Sequence, residues 1–365
     1  MSARYSRADA GSANSRGQKF TPALFNMKGA GVKVSSKIMK KRYWIAGATG
    51  LASAALAVKL LSRPRDVEWD EHAHELHHAT HSRFAEVDGV RVHYQEAGAS
   101  SKPAILLIHG FTASNFVWSD VLLPIAAAGF HVIAPDLVGY GFSGKPKRGE
   151  YTIDAQARMI VGLMDSLGIE SATMVGSSYG GAVAATCALD YPERARRLVL
   201  VDAVTNDLAK RQFLLRLAAS PLMGDLISPL LLSSHMVVRR RMRTIYAPEN
   251  THLFDKERLR AHHRPLRAAN TQRAVLKTLR GWRARRIEEE AHRIKQPSLL
   301  IWGEADLEIP LANGRRLFEL IPNSRLIVFR RCGHMPMEEY PREFIEVLVD
   351  FCSDEKEGGI ESLVR

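Results

Sequence analysis

A serine framed by glycines, Gly176-Ser177-Ser178-Tyr179-Gly180, follows the apolar run 172–175 and precedes the small-residue run 181–185. A strand that turns sharply into a helix at such a serine lifts the hydroxyl above the sheet, because the glycines remove the Cβ clashes that would forbid the bend. The chemistry on offer is nucleophilic attack. A serine hydroxyl is a poor nucleophile near neutral pH, so it needs a base within hydrogen-bond reach and a carboxylate to orient that base. His334, after the apolar run 326–329, is the candidate base, taking the proton from Ser178 and returning it to the leaving group. Two carboxylates compete to orient it: Asp306, beyond the run 299–302, and Asp202, at the end of the run 198–201. A tetrahedral intermediate also needs two backbone donors. The N–H groups of Tyr179, at the head of the helix after the nucleophile, and of Phe111, after His109-Gly110, are the candidates.

Groups so far apart in sequence need a scaffold that gathers strand ends. Strand-like and helical patterns alternate through residues 84–205, which argues for a mainly parallel sheet covered by helices. Strand signals pause near residue 206, the stretch to 292 reads as helices, and strands resume at Ser298. The order Ser, Asp, His, with Gly139-Tyr140-Gly141-Phe142-Ser143-Gly144-Lys145-Pro146 after Asp136, resembles the α/β-hydrolase superfamily over about residues 84–352. That resemblance implies an α/β-hydrolase fold, a mostly parallel sheet flanked by helices, with a helical cap inserted over the active site. It favours Asp306 over Asp202, since Trp302-Gly303-Glu304-Ala305-Asp306 with Pro310 matches the commoner acid loop, although some members place their acid where Asp202 stands. Gly333 before His334 and Met335-Pro336 after it match the family's histidine loop. His109 is expected to shape the oxyanion loop, with Asn115 and Trp118 as candidates for the acyl side of the pocket.

The resulting organisation is a basic disordered tail (1–43), a membrane anchor or signal segment (44–61), a linker (62–82), the first part of the core (83–205), the cap (206–292), the second part of the core (293–352) and a tail (353–365). Net charge is +12, and residues 1–65 account for all of it, with thirteen Lys/Arg against Asp9 alone. Because the excess lies in a tail, and no nucleic-acid-binding motif accompanies it, nucleic acid is not an expected partner. Residues 236–293 carry 16 bases and 6 acids, which fits either a cap resting on anionic lipid or a solvated helical face. Residues 44–61 are rich in Ala, Leu and Ile between Lys40-Lys41-Arg42 and Arg63-Pro64-Arg65, and the charge bias favours an anchor with the catalytic domain outside the cytoplasm. Secretion or periplasmic release after cleavage is the alternative.

No metal or cofactor is expected. Cys187, Cys332 and Cys352 have no ligand-like spacing, and the stretch His72, His74, His77, His78, His81 lies in the linker, away from any step that asks for a metal. Ser178 in the nucleophile position disfavours the dehalogenase and epoxide-hydrolase branches, whose members carry aspartate there. The leading expectation is a carboxylic ester hydrolase working through an acyl-enzyme on a lipid-like or medium acyl substrate, since the anchor and the basic, Leu-rich cap look like membrane-anchored monoacylglycerol lipases. A carbon–carbon bond hydrolase of aromatic ring-cleavage products is the second expectation, similar in the core and in the cap segment 246–280. Those enzymes usually have tryptophan after the catalytic histidine, where Met335 stands here. A non-catalytic receptor on the same fold is the third, disfavoured because the chain keeps every catalytic group. Oligomeric state is not legible.

Overall fold

The computed structural model describes residues 69–206 and 234–353 without a break, the strand Glu361–Val364, and scattered positions within 41–57 and 219–224. The expected basic tail falls almost entirely outside the described residues. The chain divides into an N-terminal unit ending at Ala52 and a main unit, Ser53–Arg365, that carries the sheet.

Unbroken apolar runs become strands buried on both faces, the pattern that parallel sheets require. The strands are β1 (Ser82–Val87), β2 (Val90–Ala97), β3 (Ala104–Ile108), β4 (His131–Pro135), β5 (Ala172–Ser177), β6 (Ala195–Val201), β7 (Ser298–Gly303), β8 (Ser324–Phe329) and β9 (Glu361–Val364). They form one sheet in the order β1-β2-β4-β3-β5-β6-β7-β8-β9. Pairing is antiparallel at β1/β2 and β2/β4 and parallel from β4 to β9. The registers Gly176↔Leu200, Val201↔Ile301 and Gly303↔Phe329 set the C-terminal ends of β5 to β8 side by side. Residues just beyond those four ends are therefore neighbours at one edge of the sheet.

Side-chain alternation along each strand divides the core in two. Leu106 and Ile108 of β3 face one apolar cluster with Ile160, Leu163 and Val183, from α2 (Ile153–Ser166) and α3 (Tyr179–Asp190). Ile105 and Leu107 face the other, with Val121, Leu122 and Ile125 of α1 (Ser119–Ala127) and Phe344 and Leu348 near the C-terminus. Helix α3 lies close to the sheet because its inner face is Gly and Ala. A Cβ on Gly176 would lie 2.2 Å from the Gly180 carbonyl oxygen, and one on Gly180 would lie 2.2 Å from that of Ile108.

Between β6 and β7 the described residues from 235 onward form α4 (His235–Ile245), α5 (Lys256–Arg267), α6 (Thr271–Arg280) and α7 (Arg285–Glu290), in the interval where the inserted cap is expected. Ser234 and Asp255 cap the first two by accepting the N–H groups of Val237 and Arg258. On α4, Val238, Met242 and Ile245 are buried while Arg239, Arg240 and Arg243 are exposed, so the helix presents a solvated basic face and a narrow apolar stripe. After β7 come α8 (Leu311–Leu320), α9 (Pro336–Glu339) and α10 (Pro341–Ser353).

Three expectations are revised at the termini. Among the described residues no helix is long and apolar enough to cross a membrane, so an anchored catalytic domain with membrane lipid as partner is not supported. The segment 44–61 owes much of its apolar composition to alanine, which contributes far less to insertion than Leu, Ile or Phe. Second, the described part of the expected linker docks on the core: the ring nitrogens of His78 and His81 lie 2.9 Å from the Ser119 and Glu96 carbonyl oxygens. Third, residues 361–364 of the expected tail form β9 beside β8.

Candidate active site

Ser178 sits at the β5–α3 turn with φ 53° and ψ −117°, a left-handed conformation that costs a non-glycine residue about 1–3 kcal/mol. The backbone around it is over-determined. Its N–H donates to Val201 at 2.9 Å, and its carbonyl accepts the N–H groups of Gly181 and Val204, each at 3.0 Å. The side chain is half-buried. The loop after β3 abuts it, because a Cβ on Gly110 would lie 3.1 Å from Ser178 Cβ and 3.7 Å from its Oγ.

Beside that loop, the Phe111 and Tyr179 amides donate to no other group among the described residues, and so are open to a ligand oxygen. His109 fixes the loop. Its Nε2 accepts the Leu137 N–H at 3.0 Å, so Nδ1 carries the proton and donates to the Gly110 carbonyl at 2.8 Å. Burial lowers its pKa, which suits a neutral, structural ring.

His334 and Asp306, on the loops after β8 and β7, are brought together: Nδ1 lies 2.7 Å from Asp306 Oδ2. The carboxylate can only accept, so Nδ1 holds the proton and Nε2 is left as the basic atom. Asp306 is itself held, its Oδ1 accepting the N–H groups of Glu308 at 2.7 Å and Ile309 at 3.0 Å. Burial disfavours the imidazolium, but the Asp306 charge and hydrogen bond, with Glu308 behind them, outweigh it and raise the His334 pKa above its ordinary 6.5. Asp202, the competing acid, takes the Gly303 N–H at 2.9 Å and lies next to the pair without being the residue bonded to the ring.

Sequence reasoning missed the polar seam that ties the cap to the histidine loop. Glu339 on α9 accepts the N–H groups of Gly333 and Met335, on either side of His334, through Oε1, at 2.9 and 3.3 Å. Its Oε2 accepts the Ala247 N–H and the Asn250 side-chain amide, at 2.9 and 2.8 Å. Glu338 beside it binds Arg258 at 2.7 Å, with Tyr246 and His262 also on it. Burial opposes that charge, yet His262 and Arg258 pull the carboxyl down to about 2. The available signal was the pair of acids immediately after Met335-Pro336-Met337, charged residues placed where the loop must turn inward.

Two further residues border the site. Trp282, from the loop between α6 and α7, meets the Tyr179 ring at a tilt with centroids 5.1 Å apart and the Phe111 ring edge-on at 5.4 Å, joining the residues that follow Ser178 and Gly110 in one aromatic cluster. Arg241 of α4 reaches Thr112 at 3.0 Å and Glu308 at 3.3 Å, spanning the oxyanion and acid loops. Trp118, expected near the acyl side, is fully buried against Phe344, and Asn115 bonds Asp136 and Ala134. Both are occupied in the core.

The strained serine and the acid–imidazole pair lie at one edge of a sheet with α/β-hydrolase topology, and the family model described as alpha/beta hydrolase fold matches residues 103–341. The chain belongs to that family. It is 31% identical over 269 residues to the 2-hydroxy-6-oxononadienedioate/2-hydroxy-6-oxononatrienedioate hydrolase of Paraburkholderia phymatum, covering 72% of this chain and 91% of that one. Among solved structures it resembles the meta-cleavage product hydrolase of Pseudomonas fluorescens, with TM-score 0.63, 27% identity, and coverage of 75% of this chain and 98% of that one. It also resembles an N-acyl homoserine lactone degrading enzyme, with TM-score 0.57, 26% identity, and coverage of 73% and 98%. The expected kinship to monoacylglycerol lipases is thereby revised: relatives with a stated activity at 29–31% identity include ring-cleavage hydrolases.

Proposed function

We propose that this chain is a serine hydrolase that splits a carbon–carbon bond in a 2-hydroxy-6-oxo-dienoate, the product class of aromatic ring cleavage, with Ser178, His334 and Asp306 as the reacting set. The observation that carries serine chemistry is the 2.7 Å Asp306–His334 pair on the sheet edge that also presents Ser178. What favours carbon–carbon cleavage over ester cleavage is the naming of the relatives. Ser178 Oγ attacks the ketone carbon as His334 takes its proton. The Phe111 and Tyr179 amides receive the oxyanion. With the substrate in its 2-oxo tautomer, collapse of the intermediate passes the electron pair of the broken bond into the conjugated oxo-acid fragment, which takes the proton held by His334 and leaves as the 2-hydroxydienoate. Water activated by His334 then releases the acyl group as a carboxylic acid. Phe111, half-buried on the loop after β3, offers an apolar surface to such a substrate, and Arg241 offers a guanidinium to its carboxylate.

Ester or lactone hydrolysis is the second reading, favoured by the likeness to the lactone-degrading enzyme. The same oxyanion pocket serves it with an alcohol as leaving group. A panel of a 2-hydroxy-6-oxo-6-phenyl-dienoate, nitrophenyl acyl esters and N-acyl homoserine lactones separates the two. Loss of dienoate absorbance with a kcat/KM well above that for any ester supports the first reading. Turnover of esters or lactones alone replaces it with the second.

A further inference from the structure

Asp202 has no part in the reaction just described, yet its side chain is wholly buried at the end of β6. Oδ1 accepts the Gly303 N–H, and Oδ2 has no hydrogen-bond partner among the described residues. One ligand-type atom each of Asp202, Asp306 and His334 lies within 4.8 Å of the other two. Two buried carboxylates this close repel each other, which favours a single charge between them. The donors around each carboxylate differ, and they bias where that charge rests. Asp306 receives the Glu308 and Ile309 N–H groups and the His334 ring, whereas Asp202 receives one N–H. Other titratable groups facing Asp202 push the same way. Glu339 on α9 adds negative charge, and burial holds the Cys332 thiol neutral.

We propose that Asp202 is a neutral carboxylic acid whose Oδ2–H donates to the Asp306 carboxylate, making it a positioning residue for the acid that orients His334. Burial first, and the Asp306 charge second, raise the Asp202 carboxyl well above the carboxylate range, in agreement with this geometry. The proposal rests on the reading of Ser178, His334 and Asp306 as the reacting set. A neutral acid here restrains the rotation of Asp306 and fills its free lone pair without adding a second negative charge near the imidazole. It therefore leaves the His334 titration alone, whereas an ionised Asp202 would raise it.

Infrared difference spectra of the full chain at neutral pH read the proton directly. The carboxylic-acid C=O band of the wild type is lost in Asp202→Asn and kept in Ser178→Ala, so this measurement does not depend on turnover. It weakens in Asp306→Asn, where the charge that holds the Asp202 proton is gone. In kinetics, Asp202→Ala lowers kcat about tenfold with KM unchanged, and the conservative Asp202→Asn, which keeps a donor, restores it to within about threefold of wild type. An unchanged acid band in Asp202→Asn, or an acid limb of the pH profile displaced downward in that variant, shows an ionised Asp202 and overturns the proposal. A wild type without Ser178-dependent turnover would defeat the reading of the site and leave the infrared result to judge Asp202 alone.

Discussion

The backbone N–H of His334 donates to the carbonyl of Ile245, the last residue of α4, at 2.6 Å. The loop carrying the candidate base is thus bonded directly to the cap, and Glu339 ties the same two segments together through four further bonds. Cap position and base position are one structural variable. The prediction is that Glu339→Ala loosens both, lowering kcat by about tenfold and stability by about 2 kcal/mol, since it leaves several buried donors unpaired. Parallel measurement of turnover and urea unfolding checks it. Loss of stability with turnover unchanged would separate the loop from the cap.

Ser178→Ala should remove turnover by a factor of about 10³ or more while leaving the fold intact. Alanine keeps the backbone strain and removes only the hydroxyl, so thermal unfolding should stay close to wild type. Labelling by a fluorophosphonate probe is the direct assay, and a labelled alanine variant would move the nucleophile elsewhere.

The pH profile follows from the direction of the His334 shift. The base must be unprotonated to accept the Ser178 proton, and its pKa is raised above 6.5 by the Asp306 carboxylate against burial. Activity should therefore rise with pH through a midpoint above that value. Asp306→Asn removes the charge, so its residual activity, lower by about 10³-fold or more, should titrate at lower pH. Glu308→Gln should shift the limb the same way by less, with turnover largely kept. A limb that does not move in Asp306→Asn would contradict the pairing.

Stability toward acid should depend on Glu338. Its folded value of about 2 lies below the unfolded value of 4.5. A depressed carboxyl stabilises the fold above its unfolded value and loses that contribution as pH falls through its folded one, here an order of about 3 kcal/mol released between pH 4.5 and 2. Glu338→Gln should flatten the stability curve across that window. It should also destabilise the fold at neutral pH, because Arg258 and His262 lose their buried partner. Chemical unfolding as a function of pH tests both.

Trp282→Ala should raise KM for an aromatic dienoate by about tenfold and leave fluorophosphonate labelling of Ser178 nearly unchanged, since the ring packs against the Phe111 and Tyr179 rings and not against the reacting atoms. Equal losses in both assays would assign the residue to the oxyanion loop's integrity.

What the sequence determined by itself was whatever depends on local spacing and on the chain order of strand ends. The Gly-x-Ser-x-Gly turn, the unbroken apolar runs and the helical interval before Ser298 each carry their geometry in a few adjacent residues, so the hydrolase fold was legible, and with it Ser178, Asp306 and His334 as the candidate set. The choice between Asp202 and Asp306 was not intrinsic to either residue. Both follow buried parallel strands, and only the sheet register and the path of the loop after β7 bring Oδ2 of Asp306 to the imidazole. The roles of Glu338, Glu339, Arg241 and Trp282 were likewise invisible, because each depends on contacts across tens of residues that a charge or an aromatic letter does not encode. The segment 44–61 lies partly outside the described residues, among which no helix is long and apolar enough to cross a membrane, so its composition alone did not establish a span. Tertiary structure decided the partners because a buried polar group takes its meaning from the donors and charges around it, and those arrive from distant parts of the chain.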